Sequence, residues 1–342
     1  MPDTTTTPTK NKMVAITPAR LDSNSFAKSF SDAVVKTGRC VSDSKWNFRC
    51  MVKADVVILH WPDCFFLVRT QKESRRKLLK IRIARRLFGT RFIWVAHNVA
   101  PHGDGDESRY AGAFINELDG IVHLCAAGSK AINTQYKVPA STKQITTVHG
   151  RYEGKVVATG FATPSEVEPV KLLTLGLLKP YKSIEIAVDA MMQIKPNEAK
   201  LRVLGKDCDS SYVDELRARA SQISTVSIDT RDELMTLEET EQALDDCHLF
   251  VIPYGRILNS GAAIHALSRN RPVLAPNVGG LPELQERLGR EWVYLYDTHL
   301  SGETLKDALD WVRSTRRPDA PDLGAYSWTQ VSQDLNRLLS TT

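Results

Sequence analysis

A group of polar and glycine residues in the second half of the chain has the character of a phosphate-binding turn. The apolar run Leu249–Pro253 predicts a buried strand, and Asn259-Ser260-Gly261 then opens a short helix. The first turn of a helix presents free N–H groups and a partial positive charge, so it suits an anion. Ser260 can cap this helix, and Gly261 lets a bulky anion approach the backbone closely. The spacing predicts a site for a nucleotide diphosphate.

Two lysines form a second candidate cluster in the same half of the chain. The segment LGLLKPYKS, residues 175–183, joins a predicted strand to a predicted helix. Lys179 and Lys182 can neutralise a diphosphate leaving group, whose negative charge grows as its bond to a sugar breaks. The alternative is a solvated lysine pair at a helix start, where cations are mildly unfavourable. That cost favours a functional role, above all for Lys182.

Two polar clusters lie in the first half at points where predicted strands end, and a third lies at the edge between the predicted domains. Their imidazole and carboxylate groups can act as general bases, and the others can bind an acceptor. The alternative is that these polar tips only bond to neighbouring loops. The candidates are His60, Trp61, Asp63, His97, Asn98, His102, His149 and Arg151.

Alternating strand and helix patterns must position these residues. Short continuous apolar runs predict buried parallel strands, and helical spacing between them predicts crossover helices. The predicted strands are Met13–Thr17, Asp55–His60, Phe92–His97, Gly120–Leu124, Lys171–Leu178, Leu201–Leu204, Leu249–Pro253 and Pro272–Ala275. The predicted helices are Ser25–Thr37, Ile184–Ile194, Tyr212–Ala220 and Trp328–Leu339. The fold class is therefore α/β.

The chain length of 342 residues suits two domains rather than one core. Residues 153–170 lack helical periodicity and contain two Pro and two Gly, which is typical of a link. We predict a disordered tail at 1–12, Rossmann-like domains at 13–155 and 156–325, and a closing helix at 326–342. Two such domains facing a cleft would bind ligands at the carboxyl ends of their strands.

Composition excludes several classes of protein. Apolar content of 42% and charged content of 25% are those of a globular domain. The first 12 residues lack the apolar core of a signal peptide, and no apolar run reaches the length of a membrane span. The six cysteines show no metal-ligand spacing, which favours reduced thiols.

The charge is unevenly divided between the two halves. Residues 1–150 carry 23 Lys/Arg against 12 Asp/Glu, a net charge of +11, and residues 151–342 carry 22 against 28, a net charge of −6. This asymmetry predicts that only the first half meets an anionic partner.

A basic run explains much of this asymmetry. Residues 69–91 hold ten Lys/Arg against Glu73, with Leu79, Ile83 and Leu87 at a spacing of four. A basic amphipathic helix suits the surface of an anionic membrane. The alternative is a helix that faces the core and keeps a solvated basic face. No recognition motif or aromatic stacking platform accompanies the run, so nucleic acid is not an expected partner.

Five ordered segments together resemble a known family. HWPD (60–63), AHNVAPH (96–102), HGRY (149–152), LGLLKPYKS (175–183) and the stretch 250–280 span most of the chain. They resemble GT-B glycosyltransferases of bacterial exopolysaccharide synthesis, most closely the xanthan-type enzymes that move mannose from GDP-mannose to a glycolipid. The resemblance implies that the second domain binds a nucleotide sugar and the first binds the acceptor.

The resemblance also implies roles for the candidate residues. The donor-binding set is Lys179, Lys182, Tyr254, Asn259, Ser260, Gly261 and His265. The catalytic set is Asp63, His97 and His102, and the acceptor side comprises His60, Trp61, Asn98, His149 and Arg151. No cofactor and no essential metal are expected, because a helix start and a lysine take the place of a cation. The triplets Asp104-Gly-Asp106 and Asp207-Cys-Asp209 lie in turn-like contexts and are not expected to bind metal.

The sequence departs from the family pattern at two places. Many retaining members carry a Glu-x7-Glu pair, and Ile257 and His265 stand at those positions here, which favours an inverting displacement. The Glu expected after His102 is Gly103. The candidate bases that remain are Asp63, Asp104, Asp106, Glu107 or a His, and of these we prefer Asp63.

These observations predict a glycosyltransferase that extends a polyprenyl-diphosphate-linked oligosaccharide. It would be cytoplasmic and peripherally attached to the inner face of the plasma membrane through residues 69–91. GDP-mannose is the first choice of donor, and UDP-glucose or UDP-glucuronate is the alternative. Two further hypotheses are a non-hydrolysing sugar-nucleotide epimerase and a catalytically silent scaffold.

Overall fold

The computed structural model describes residues 13–19, 24–67, 70–99, 108–154, 156–255 and 257–340. The chain divides into two compact units. The first contains Met1–His123, Asn133–Thr147 and Trp328–Thr342, and the second contains Leu124–Ile132 and Val148–Ser327. The predicted tail at 1–12 and the candidate His102 lie outside the described residues.

The first unit is built on a six-stranded parallel sheet. The strand order is β2-β1-β3-β4-β5-β6. The strands are β1 (Met13–Thr17), β2 (Cys40–Asp43), β3 (Val56–His60), β4 (Arg91–Ala96), β5 (Gly120–His123) and β6 (Lys143–Thr146). The helices are α1 (Ser25–Val35), α2 (Phe48–Lys53), α3 (Gln71–Phe88) and α4 (Tyr110–Ile115), with a 3-10 turn at Asp63–Phe65. The next helix, α5 (Ala126–Gln135), is divided between the units, and its residues up to Ile132 belong to the second. The last helix of the chain, α12 (Trp328–Ser340), returns to contact α1 and β6.

The second unit contains another six-stranded parallel sheet, in the order β12-β11-β10-β7-β8-β9. The strands are β7 (Val170–Leu178), β8 (Ala199–Asp207), β9 (Val226–Arg231), β10 (Leu249–Val251), β11 (Val273–Pro276) and β12 (Val293–Tyr296). The helices are α6 (Ile184–Ala190), α7 (Ser210–Ala220), α8 (Leu237–Asp245), α9 (Gly261–Ser268), α10 (Leu281–Leu288) and α11 (Gly302–Ser314). Further 3-10 turns lie at Pro180–Lys182, Met191–Gln193 and Gly324–Tyr326.

Burial explains which strands the sequence predicts. Every residue of β3 and β5 is buried, and β4 is buried after its first residue, because helices cover both faces of a parallel sheet. The outer strands β2, β6 and β9 are mostly exposed or half-buried. These three strands lack a continuous apolar run and were not predicted from the sequence. The outer strand β12 was not predicted either, although its four residues are apolar. The α/β class and the parallel sheets are confirmed.

Capping side chains fix where several helices begin. Asn24, Asp209, Ser260 and Ser301 each accept a hydrogen bond from a first-turn N–H of their helix. Thr236 forms a reciprocal pair with Glu239 at the start of α8. Each such contact satisfies an N–H that the helix cannot bond internally, and typically contributes about 1 kcal/mol.

The basic run forms α3, and the helix has two apolar sides. Ser74, Leu78, Ile81 and Ala84 are buried toward the sheet. The row Leu79, Ile83 and Leu87 lies on the other side, where Leu79 is 58% exposed and Leu87 74% exposed. The core therefore uses a different stripe from the one singled out in the sequence.

No helix in the described part of the chain combines the length and the apolar character needed to cross a bilayer. All six cysteines are unpaired in the structure.

Candidate active site

Strand order in the second sheet creates a place where a ligand can bind. β7 and β10 are neighbours, and the chain continues from them toward opposite edges of the sheet. Lys182 follows β7, and Tyr254 and Ser260 follow β10. Open α/β sheets bind ligands at this position, outside the carboxyl ends of the two strands that diverge.

Lys182 is a buried cation at this position. The 3-10 turn Pro180–Lys182 carries its side chain inward, where it is 9% exposed, and Nζ lies 5.5 Å from the centroid of the Tyr254 ring. Gly176 has a φ of +122°, and a Cβ there would lie 2.7 Å from Nζ, so the ammonium depends on a glycine. Burial lowers the pKa of Lys182 to about 8, and the nearby Cys208 partly opposes this effect.

Tyr254 connects this lysine to the start of α9. Ser260 Oγ accepts a hydrogen bond of 3.0 Å from the Ala263 N–H, which confirms Ser260 as the capping residue. The Tyr254 hydroxyl is hydrogen-bonded to the Ser260 side chain, and burial raises the pKa of Tyr254 to about 12. One aromatic residue thus joins the buried cation to the positive end of a helix, an arrangement suited to a diphosphate.

Three stacked rings lie over the first turn of α9. Tyr152 stacks on His265 with a centroid distance of 4.0 Å, and the His149 ring centroid lies 5.7 Å from that of Tyr152. His149 Nε2 and the Tyr152 hydroxyl come within 3.0 and 3.1 Å of where a Cβ on Gly261 would lie. Only a glycine leaves both polar groups this close to the helix start.

Burial keeps these rings uncharged. It lowers the pKa of His149 to about 4 and that of His265 to about 3, with Arg269 contributing to the second. It raises the pKa of Tyr152 to about 12. His265 Nε2 has no hydrogen-bond partner among the described residues. The stack is therefore a neutral polar wall beside the anion site.

The other donor-side candidates are more peripheral. Asn259 lines a small pocket with Ser260, His149 and Arg287. Lys179 is half-buried and precedes the 3-10 turn that carries Lys182.

Of the two Asp-x-Asp triplets, Asp207-Cys-Asp209 has a structural role. Asp209 caps α7, and Asp207 accepts hydrogen bonds from the Asp209 N–H and the Ser210 hydroxyl. The other triplet, at 104–106, lies outside the described residues.

A second polar cluster lies in the first unit, at the carboxyl ends of β3 and β4. Trp61, Asp63, His97 and Asn98 line one small cavity, together with Pro62, Phe66, Trp94 and Val99. His60 lies behind this lining, with its Nδ1 3.0 Å from His97 Nε2. Burial raises the pKa of Asp63. A carboxylate of raised pKa beside imidazoles can accept a proton from a hydroxyl group.

The structure groups the predicted residues into these two clusters. His149, predicted on the acceptor side, lies with Gly261 and His265 in the second unit. Arg151 also belongs to that unit, where it forms an ion pair of 3.2 Å with Glu153. Tyr152 was not singled out, although it ends the HGRY segment. The feature of the sequence that could have identified Tyr152 is an aromatic residue close to the predicted site residue His149.

Comparison with known proteins identifies the fold and the family of this chain. A family model described as "Glycosyl transferases group 1" matches residues 169–308, the part that holds the anion site. The structure of Anabaena HepE in complex with UDP-glucose is similar, with a TM-score of 0.66, 12% identity, and coverage of 97% of this chain and 100% of that one. Sucrose-phosphate synthase from Thermosynechococcus elongatus gives a TM-score of 0.64 at 14% identity, covering 97% and 98%. At these identities the two structures show the fold alone.

Fold and family match together define a glycosyltransferase with the GT-B fold. A curated relative is the GDP-mannose:glycolipid 4-beta-D-mannosyltransferase of Xanthomonas campestris pv. campestris. It is 30% identical over 293 residues, which are 82% of this chain and 77% of the relative. The chain belongs to the glycosyltransferase family of that enzyme.

Lys182 generates a prediction about pH. Its protonated form attracts a diphosphate, and its pKa of about 8 means that the unliganded protein loses this charge as the pH rises through 8. Affinity for GDP or UDP should therefore fall between pH 7 and 9. Lys182→Met should weaken binding at pH 7 by about 10- to 100-fold and flatten this pH dependence. Titration calorimetry at several pH values measures both effects.

The matched control is Lys200→Met, because Lys200 is exposed near the amino end of β8. It should bind as the unsubstituted protein does. An unchanged pH dependence in Lys182→Met would remove Lys182 from the anion site.

Proposed function

We propose that the protein transfers mannose from GDP-mannose to a polyprenyl-diphosphate-linked oligosaccharide. The observation that carries this proposal is the buried Lys182 ammonium, joined through Tyr254 to the capped start of α9. The choice of donor and of a glycolipid acceptor follows the name of the Xanthomonas relative.

The donor half of the reaction needs stabilisation of the departing diphosphate. As the anomeric bond breaks, negative charge grows on the β-phosphate, and Lys182 with the N–H groups of α9 opposes it. A preformed site of this kind needs no reorganisation at the moment of reaction. We therefore propose that these groups act in place of a metal cation, a proposal that binding in EDTA tests directly.

The acceptor half needs a base in the first unit. Burial raises the pKa of Asp63, and its side chain shares a cavity with His97 and Asn98. We assign to Asp63 the removal of the proton from the acceptor hydroxyl as its oxygen attacks the anomeric carbon. The relative makes a 4-β linkage, and GDP-mannose is an α-linked donor, so a direct displacement with inversion accounts for the stereochemistry.

The α3 helix supports peripheral binding to the inner face of the plasma membrane. Its outer face combines Leu79 and Leu87 with Lys72, Arg75 and Arg76, and these three cations form no ion pair with any described residue. Arg82, Arg85 and Arg86 are instead paired with Glu117 and Asp119. Apolar side chains among unpaired cations suit the interface of an anionic bilayer, where a lipid-linked acceptor is located.

Binding of nucleotide sugars is the experiment that tests the donor. Calorimetry with GDP-mannose, UDP-glucose and UDP-glucuronate, each with and without EDTA, compares the first choice with the alternatives. GDP-mannose should bind in EDTA and transfer labelled mannose to a membrane lipid extract. If only a UDP-sugar binds, GDP-mannose is not the donor. If binding is lost in EDTA, the proposed metal-free mechanism is wrong.

Replacing Asp63 tests the base. Asp63→Asn keeps the shape but cannot accept the proton, so kcat should fall about 10²-fold or more while GDP-mannose binding stays unchanged. Initial rates of mannose transfer measure this. Asp43→Asn is the control, since Asp43 is a carboxylate of the outer strand β2 that accepts only the Lys45 N–H among the hydrogen bonds described. Equal rates in the two variants would exclude Asp63 as the base.

Replacing the outer row of α3 tests membrane binding. Leu79→Glu with Leu87→Glu should lower the partition coefficient onto vesicles containing anionic lipid by about tenfold or more, because each Leu buries apolar surface in the interface. Vesicle sedimentation measures it.

The control for this pair is Met192→Glu with Val167→Glu, whose side chains are 67% and 90% exposed in the second unit. Equal loss in both pairs, or no loss in either, would argue against α3 as the membrane surface.

A further inference from the structure

His60 occupies an unusual position for a polar side chain. It ends β3 and is 2% exposed, with its ring edge-on to Phe30 at 4.7 Å and to Phe26 at 5.9 Å. The only hydrogen bond described for it joins Nδ1 to His97 Nε2, at 3.0 Å. Burying an imidazole among apolar side chains is costly unless its polar atoms are hydrogen-bonded. The hydrogen bond to His97 is therefore the contact that accounts for a histidine at this position.

Two further rings hold His97 in place. Trp61 stacks on it with a centroid distance of 4.3 Å and an interplanar angle of 20°, and Phe26 meets it edge-on at 5.0 Å. Trp61 adopts a φ of +46°, a conformation that costs a bulky residue about 1–3 kcal/mol. The backbone strain at Trp61 is maintained by the same packing that fixes the His97 ring.

The unpaired Nε2 atom of His60 indicates which nitrogen carries the proton in the hydrogen bond between His60 and His97. Burial lowers the pKa of His60 to about 3, so this ring is neutral and carries one N–H. His60 Nε2 has no partner among the described residues. A proton on Nε2 would be a buried donor without an acceptor, whereas a proton on Nδ1 is donated to His97. His97 Nε2 is then the acceptor, and neutral His97 carries its own proton on Nδ1.

We propose that His60 is a positioning residue, which fixes the ring orientation and the tautomer of His97 in the cavity that contains Asp63. This inference rests on the proposed function, because His97 and Asp63 line the cavity assigned to the acceptor. His60 acts on transfer only through His97. A ring held by a hydrogen bond on its edge and by an indole on its face needs no reorientation when the acceptor arrives.

A matched pair of substitutions separates positioning from packing. His60→Leu keeps an apolar side chain of similar size and removes the hydrogen bond. His60→Asn places an amide near the position of Nδ1 and can donate to His97 Nε2. We expect His60→Leu to lower kcat about 10- to 100-fold with little change in the KM for the donor, and His60→Asn to recover most of the rate.

A spectroscopic measurement tests the same inference without turnover. Two-bond ¹H–¹⁵N spectra of the ¹⁵N-histidine-labelled protein, with His97→Gln for assignment, report the tautomer of His97. The Nδ1–H tautomer should dominate in the unsubstituted protein and in His60→Asn, and should give way to a mixture in His60→Leu.

Three outcomes would overturn the inference. They are an Nε2–H tautomer of His97 in the unsubstituted protein, a kcat of His60→Leu equal to that of the unsubstituted protein, or equal losses of rate in both variants together with equally lowered melting temperatures. If the unsubstituted protein transfers no sugar from any donor, the proposed function fails. The tautomer measurement still decides the role of His60 in that case.

Discussion

Removal of water from the ends of parallel strands is the constraint on which the rest of this structure depends. Helices cover both faces of each sheet, so the inner strands are apolar and polar chemistry is confined to the turns that follow them. The titratable groups that enter these turns lose most of their hydration. The consequence is a set of neutral histidines, His60, His149 and His265, with pKa values well below their usual range.

Lys182 shows how this constraint becomes useful. Its pKa shift from 10.5 to about 8 corresponds to a cost of about 3 kcal/mol for holding the charge in this buried position. A diphosphate bound there, as we propose, would replace the lost hydration and remove that cost, so binding and charge stabilisation would be coupled. An exposed lysine would already be hydrated and would gain less from the phosphate. Gly176 contributes to the burial of Lys182, because a side chain at position 176 would occupy the space of the ammonium group.

Continuous apolar runs allowed the inner strands of both sheets to be predicted from sequence, β1 to the residue. The cap at Ser260 was also predictable, since a helix start has local chemistry. The outer strands β2, β6, β9 and β12 were not predicted. The first three lack a continuous apolar run because many of their residues are exposed or half-buried, whereas β12 was missed although its four residues are apolar. Helical spacing identified α3 but not which apolar stripe faces the sheet.

Contacts between side chains of distant segments could not be predicted from the sequence either. The stacking of Tyr152 on His265 and the hydrogen bond between His60 and His97 join residues 113 and 37 positions apart, and no local pattern encodes either contact.

Net charge and local charge point to different places in this chain. Residues 151–342 carry a net charge of −6, yet they contain Lys182 and the start of α9, the groups that we propose for binding a diphosphate. Surface charges more than about 8 Å away are largely screened at physiological ionic strength, whereas a buried ammonium and a helix start act at contact distance. The basic first half shows the converse, because Arg82, Arg85 and Arg86 are occupied by Glu117 and Asp119. The cations of α3 that form no ion pair with a described residue are therefore a smaller set than the total of +11 suggests, and they lie beside the exposed Leu79 and Leu87.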